Sequence, residues 1–373
     1  SVIGGTTAAA GSFTTLTASS NLSVDGGTIK LDGNYPTGTN NVALGDTALD
    51  SVTSSGNGQN VAIGDAALTA NTSGERNIAI GHNALVANVD TDRNIAIGAF
   101  ALDASGASGS GEANNIGIGY NSLGANTTGT SNVGLGSLTI DANTTGSNNT
   151  GIGKGALSAN TTADDNTAVG YEALLVNTTG NSHVAVGVNA LDANTTGNAN
   201  VAVGFESLTS NTTGGANTAV GSEALDANTT ANFNTAVGYR SSLANTTGSS
   251  NVTVGSNSLE TNTIGSNNTA LGRNSLKANT TASNNTAVGF QSLLANTTGH
   301  SNVAVGASAL DANTTGNHNT GVGIHTLSSN TTGGDNVAVG DYALYNNTTA
   351  SNNTAIGSDA LIANQTGDRN TAI

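Results

Sequence analysis

The chain has 373 residues, including 51 glycines, a single proline, no cysteine, methionine or tryptophan, and 24 acids against 8 lysines and arginines, for a formal charge of −16. The scarcity of basic residues argues against a nucleic-acid surface, where phosphates need clustered cations, and against electrostatic docking on anionic lipid. Without cysteine there is no disulfide stapling and no thiolate metal site. Charged residues are only 9%, unlike a disordered polyelectrolyte, and no apolar run reaches the roughly 18 residues of a membrane-spanning helix.

Residues 1–40 stand apart from the rest of the chain. Short β-prone runs, Ser12–Thr17 and Thr28–Leu31, are separated by turns such as Asp25-Gly26-Gly27, and Tyr35-Pro36-Thr37-Gly38 reads as a turn into the next segment. The expectation is a β-rich connector. The chain opens on Ser1 and stops at Ile373, one residue short of the next repeat glycine, so both ends are expected to be cut from something longer.

From residue 41 to residue 373 the chain is one repeat, typified by Asn166–Ser182, NTAVGYEALLVNTTGNS. Its glycine falls at 45, 64, 81, 98 and 119 with irregular steps, and from about 119 the step is a constant 17, through Gly136 and Gly170 to Gly357. A fixed period of this length marks a solenoid whose single coil cannot stand alone. Counting from this glycine as position zero, position −1 is always Val, Ile or Leu (Val169, Val186, Ile356), position −2 is small (Ala168, Gly134), and position −3 is Val, Ile or Thr (Val184, Thr218). That alternation predicts a short strand, with the strictly aliphatic position most buried and the small residues facing another backbone.

Leucine recurs at +4 (Leu174, Leu191, Leu344), out of step with position −1, so a corner at the glycine is expected, followed by a second short strand. Asn177-Thr178-Thr179-Gly180 forms the second corner. Its glycine is replaced by Ala163, Ala231, Ala282 and Ala350, so small size matters there, whereas the framework glycine is never replaced and is the better candidate for a special backbone conformation. Both long spacings put their extra residues in this second corner, the later one as Ser105–Ala113, which predicts that the corner faces outward. The fold class is therefore all-β: a parallel β-solenoid, or β-roll, of 17-residue coils with two short strands each. Two sizeable apolar side chains per coil are a thin core, and packing several chains along a shared axis would relieve it. A homotrimeric fibre is expected, with a repeat array on the order of 90 Å long.

The N-[VT]-A-[VI]-G pattern resembles the repeat of trimeric autotransporter adhesin heads, which form left-handed parallel β-rolls associated as trimers, though the period here is longer. With its N-T-T-G corner it is closer to repeats of phage and phage-like tail-fibre proteins. The stretch from Gly5 to Ala18, which includes G-S-F-T-T-L-T-A, is also similar to segments of bacteriophage tail-fibre and related virion proteins. The resemblance implies the rod of a homotrimeric virion or extracellular fibre that spaces a host-attachment tip from its base. Its partners would be copies of itself, fibre or baseplate proteins at the ends, and a host receptor met through regions outside this chain. The alternative is a bacterial trimeric adhesin whose repeat surface itself binds host or matrix.

Chemistry is sparse by comparison. Asparagine at −4 (Asn166, Asn200, Asn217) and +7 (Asn177, Asn194, Asn211) predicts hydrogen-bonded ladders along the rod, and the N-T-T glycosylation sequons are read as a by-product of those ladders. Ice binding by the threonine array is a remote reading, because adjacent threonines cannot both lie in one plane. The acids Glu172, Asp192, Glu206 and Asp226 scatter over variable positions without a calcium pattern, and read as solvated surface. His82, His183, His300, His318 and His325 occupy different places in the frame, so no metal site is expected. No nucleophile elbow, phosphate loop or recurrent carboxylate pair appears, and a tailspike depolymerase, the enzymatic alternative, would break the repeat more. The expectation is a non-enzymatic protein with no catalytic, cofactor or metal residues, its ligand-binding residues unknown.

Overall fold

The computed structural model describes residues 40–53, 58–106 and 111–373. The expected connector over residues 1–40 lies outside the described residues, save for Asn40. Each coil begins with a three-residue strand, from Val42–Leu44 to Thr354–Ile356, and the shorter Thr371–Ala372 closes the series. Twenty such strands form one parallel sheet. Partners are equivalent residues of successive coils, as in Thr167↔Val184, Ala168↔Ala185 and Val169↔Val186. The irregular spacings do not disturb this register: Ile95 pairs Ile116 and Val42 pairs Val61. Beside the longer insertion, Thr91–Asp92 and Gly111–Glu112 add a separate two-stranded parallel sheet. The architecture is thus an all-β parallel β-solenoid of about 17 residues per coil, with no helix among the described residues.

The strand points the opposite way from the sequence expectation. Ala168, Ala185, Ala202 and Ala219 at −2 are completely buried, while the flanking aliphatics at −3 and −1 are half-buried or exposed. The reason is the narrowness of the coil: the inward side chain of each strand meets the leucine from the opposite wall, and only a methyl or hydrogen fits beside it. The larger Val, Ile or Leu is displaced to the outer face. Size, more than hydrophobicity, decides the inward residue.

The half of the coil after the glycine is not a second strand. It is a turn in which positions +2 and +4 are left-handed, with φ of 52° at Glu172 and 53° at Leu174, and position −5 is a third such residue, φ 60° at Ser182. Alternating handedness removes the pleat, yet the N–H groups at +2, +4 and +6 bond neighbouring coils, while those at +3 and +7 bond carbonyls of their own coil. Leu174 donates to the Ala190 carbonyl at 2.9 Å, Val176 to Asp192 at 3.0 Å, and Glu172 back to Lys154 at 3.0 Å. A left-handed non-glycine residue costs roughly 1–2 kcal/mol. At +4 the return is complete burial of the leucine, 0% exposed from Leu49 to Leu344 in every coil except those where Ile140, also 0% exposed, and Ser242 replace it, a contribution of about 1.5–3 kcal/mol each.

The interior has an apolar half and an amide half. Alanine at −2, alanine or a small residue at +3, and leucine at +4 fill the first. The second is two asparagine ladders, both buried except at their last rungs, Asn364 and Asn370, which are half-buried. The Oδ1 of each −4 asparagine accepts the backbone N–H of the next, as Asn200 does from Asn217 at 3.0 Å, while its Nδ2 donates across the coil to the corner carbonyl of Gly214 at 2.8 Å. At +7, Asn211 donates to Asn194 Oδ1 at 2.9 Å and to the same Gly214 carbonyl at 3.0 Å. Buried amides that are fully paired cost little and fix coil-to-coil register.

Candidate functional site

The outer face of the long sheet runs along every coil of the twenty-stranded sheet. Positions −3 and −1 project outward from every strand and are occupied only by Val, Ile, Leu or Thr, from Val42 and Leu44 to Thr354 and Ile356. No charged residue falls within any of these strands, in a chain of net charge −16. Rungs spaced by about 4.8 Å turn these side chains into one continuous aliphatic row at −1 and a mixed row of Val, Ile and Thr at −3. Exposure is partial at most rungs and higher at Leu44 (56%), Val184 (38%), Val252 (41%) and Ile356 (41%). This contiguous uncharged face is the candidate site, since isolated surface aliphatics would be scattered.

Flanking this face, the +1 edge carries exposed rings: Tyr120, Tyr171, Phe205, Tyr239 and Phe290. Two of them receive cations from the chain, Lys154 Nζ lying 5.8 Å from the Tyr171 centroid and the Arg240 guanidinium 5.1 Å from that of Tyr239. The acids singled out in the sequence fall on the same turn half. Glu172 and Glu206 occupy +2, Asp192 and Asp226 occupy +5. Burial raises the Asp192 and Asp226 carboxyls above the ordinary range, and the neighbouring glutamates add to that rise. Glu223 is instead paired, its Oε2 2.8 Å from Arg240 Nε.

The second corner divides by residue. The threonine at +9, such as Thr179 and Thr213, faces out, and the +8 threonine turns its hydroxyl to the next coil, Thr178 Oγ1 donating to the Thr195 carbonyl at 3.1 Å. The sequon asparagines at +7 are fully buried with their amides engaged, so the folded coil does not present them for modification. The corner is outward-facing only at its tip. Adding a methyl at its fourth position opens it. The +9 N–H bond to the next coil, 3.3 Å at Thr179, stretches to 3.5 Å before Ala163 and is not formed before Ala231, Ala282 or Ala350.

The five histidines do not gather at one site, and only His300 and His318 meet. His82 Nδ1 sits 3.1 Å from Asp65 Oδ2 and its ring meets Phe100 edge-on. His300 and His318 stack edge to face at 5.0 Å, and His325 stacks on Tyr342 at 5.3 Å. Among the described residues no group of three or more His, Asp or Glu is arranged to hold a metal ion.

His183 is a different case, since it replaces the −4 asparagine inside the amide half and is fully buried. Its imidazole reproduces the asparagine's bonding: Nδ1 accepts the Asn200 N–H at 3.1 Å, and Nε2 lies 2.7 Å from the Gly197 carbonyl. A carbonyl can only accept, so the proton resides on Nε2, and the 3.2 Å approach of Asn194 Nδ2 to that nitrogen is a contact between two donors. Burial pushes the imidazole down to about 4. Compared with known proteins, the chain matches no family model and no curated sequence.

Proposed function

We propose that this chain is the rod of a homotrimeric fibre, on a virion or at a cell surface, that holds an attachment tip away from its base. The observation that carries the reading is the uncharged outer face of Val, Ile, Leu and Thr running the length of the sheet. A rod with the same residues at every rung presents the same surface at every height, so its natural complement is another copy in parallel, related by a rotation axis along the rod. Stiffness follows from the sheet and from both asparagine ladders, which tie each coil to its neighbours by backbone and side-chain bonds. The proposed mechanism is mechanical spacing. Sedimentation equilibrium tests it: the expected mass is three times the 36.2 kDa of one chain. A monomeric mass across micromolar concentrations would remove the trimer, and with it the reading of the outer face.

A second reading, a surface adhesin, is favoured by one observation, the exposed rings at +1. It predicts that Tyr171→Ala and Phe205→Ala together lower cell or matrix adhesion while the rod keeps its assembly.

A further inference from the structure

We infer that a buried layer of hydroxyl groups at Ser241, Ser242, Thr253 and Ser258 is a joint that divides the rod into two cooperative units. This inference stands on the fold and does not rest on the proposed function.

The core is continuous from Ala48 to Ala236 and again from Leu259 to Ala355, and these are separate clusters. Between them two substitutions of the repeat coincide. The +4 leucine is replaced by Ser242, with Leu243 moved one place along and only half-buried, and in the next coil the small −2 residue is replaced by Thr253. Both replacements are completely or almost completely buried. They compensate each other in volume, because the side-chain atoms lost in changing leucine to serine are regained in changing alanine to threonine. They also meet: the Ser242 and Thr253 hydroxyls are 3.0 Å apart.

Every proton in the layer is placed. Thr253 Oγ1 donates to the Thr235 carbonyl at 3.0 Å and accepts from Ser241 at 2.8 Å and from Ser242. Ser258 donates to the Gly255 carbonyl at 2.9 Å and approaches Ser241 Oγ at the same distance. A fully satisfied layer does not weaken the fold locally as an unpaired one would. Its effect is on coupling. The sheet and the ladders cross the junction intact, with Gly255 donating to Val237 at 2.8 Å and Asn262 to Asn245 at 2.8 Å. What the junction lacks is leucine packed against the wall of the next coil. Hydroxyls regain hydrogen bonds from water when the junction opens, whereas exposed leucine regains nothing. In a solenoid, where stability is a sum of coil and nearest-neighbour terms, an opening that starts at one end therefore halts at this junction.

Hydrogen exchange by mass spectrometry on the full chain, through a denaturant series, tests the joint. The expectation is two opening transitions, one for coils before Gly238 and one for coils after Gly255. The paired variant Ser242→Leu with Thr253→Ala is expected to merge them into one. Each single variant should speed exchange around the junction roughly tenfold, because leucine beside Thr253 overfills the narrow coil and Thr253→Ala leaves Ser242 without its acceptor. A single transition in the native chain would overturn the joint, as would two transitions persisting in the paired variant. Additive single effects would show that Ser242 and Thr253 are not coupled, and would overturn it as well.

Discussion

At the scale of single residues, the framework glycine is the least replaceable position. Gly221 has φ of +137°, and a Cβ placed on it would lie 2.5 Å from the Gly238 carbonyl oxygen of the next coil. Conformation and close approach thus both require glycine, for reasons that reinforce each other. Gly221→Val is expected to cost roughly 3 kcal/mol or more, whereas Glu223→Ala, which removes only a partly exposed pair with Arg240, should stay within about 1 kcal/mol. Equilibrium denaturation followed by circular dichroism measures both, and equal tolerance would defeat this account of the frame. His183 supplies a pH dependence of definite sign. The unfolded imidazole takes up its proton near the ordinary 6.5, but the buried one, which must stay neutral to accept the Asn200 N–H, does so only near 4. Its contribution to stability is therefore whole above 6.5 and is lost as pH falls through 4, about 3 kcal/mol in all. His183→Asn restores the regular ladder and should remove this part of the acid sensitivity. The comparison is of exchange rates in the coils of Gly187 and Gly204 at pH 7 and 4.5, and identical acid responses in the two proteins would refute it.

At the scale of elements, the repeat and its asparagine ladders were legible in the sequence, and the path of the chain between them was only half so. Periodicity locates the strand at −3 to −1 but is silent on which side faces in, because Val-Ala-Val alternates equally well either way. The deciding quantity was the space left by Leu191 or Leu208 across a thin coil, which only the closed coil defines. The left-handed turn left a faint trace: Asn83, Asn121, Asn189, Asn257 and Asn274 fill position +2, and Gly155 fills it once, the residue types that accept positive φ most readily. Leucine at +4 carries no such mark, since burial and coil-to-coil bonds override its backbone preference. The ladder itself predicts unequal costs around one corner. Asn211→Ala removes two donations and leaves the Asn228 amide, which bonds Asn211 Oδ1 at 2.9 Å, with only its bond to the Ala231 carbonyl, for an expected loss of about 2–3 kcal/mol. Thr213→Ala, at the exposed tip, should change stability by less than about 0.5 kcal/mol. Denaturant midpoints separate the two, and a loss at Thr213 matching that at Asn211 would contradict the inward asparagine.

At the scale of the whole molecule, the inversion of the strand changes where association is to be sought. With alanine facing out, the proposed trimer would meet through close backbone contact; with alanine sealed inside, its proposed meeting surface is the Val, Ile, Leu and Thr rows. Charge placed on those rows should therefore act on assembly and spare the coil. Val203→Asp and Val237→Asp place carboxylates on two rungs of the outer face without touching the buried Ala202 or Ala236 beside them. A lone coil should tolerate both, because each side chain can reach solvent, so far-UV circular dichroism is expected to stay native. An assembly that buries this face cannot accommodate carboxylates repeated around its axis, where they would be desolvated and close to one another. The expected outcome is a fall in sedimentation mass from three chains to one, strongest at low salt, where the like charges are least screened. Thr213→Asp adds the same charge at the tip of the second corner and should leave the mass unchanged. If Thr213→Asp dissociates the assembly and the two strand variants do not, the chains meet at the corner, and the aliphatic rows must be covered by something other than a copy of this chain.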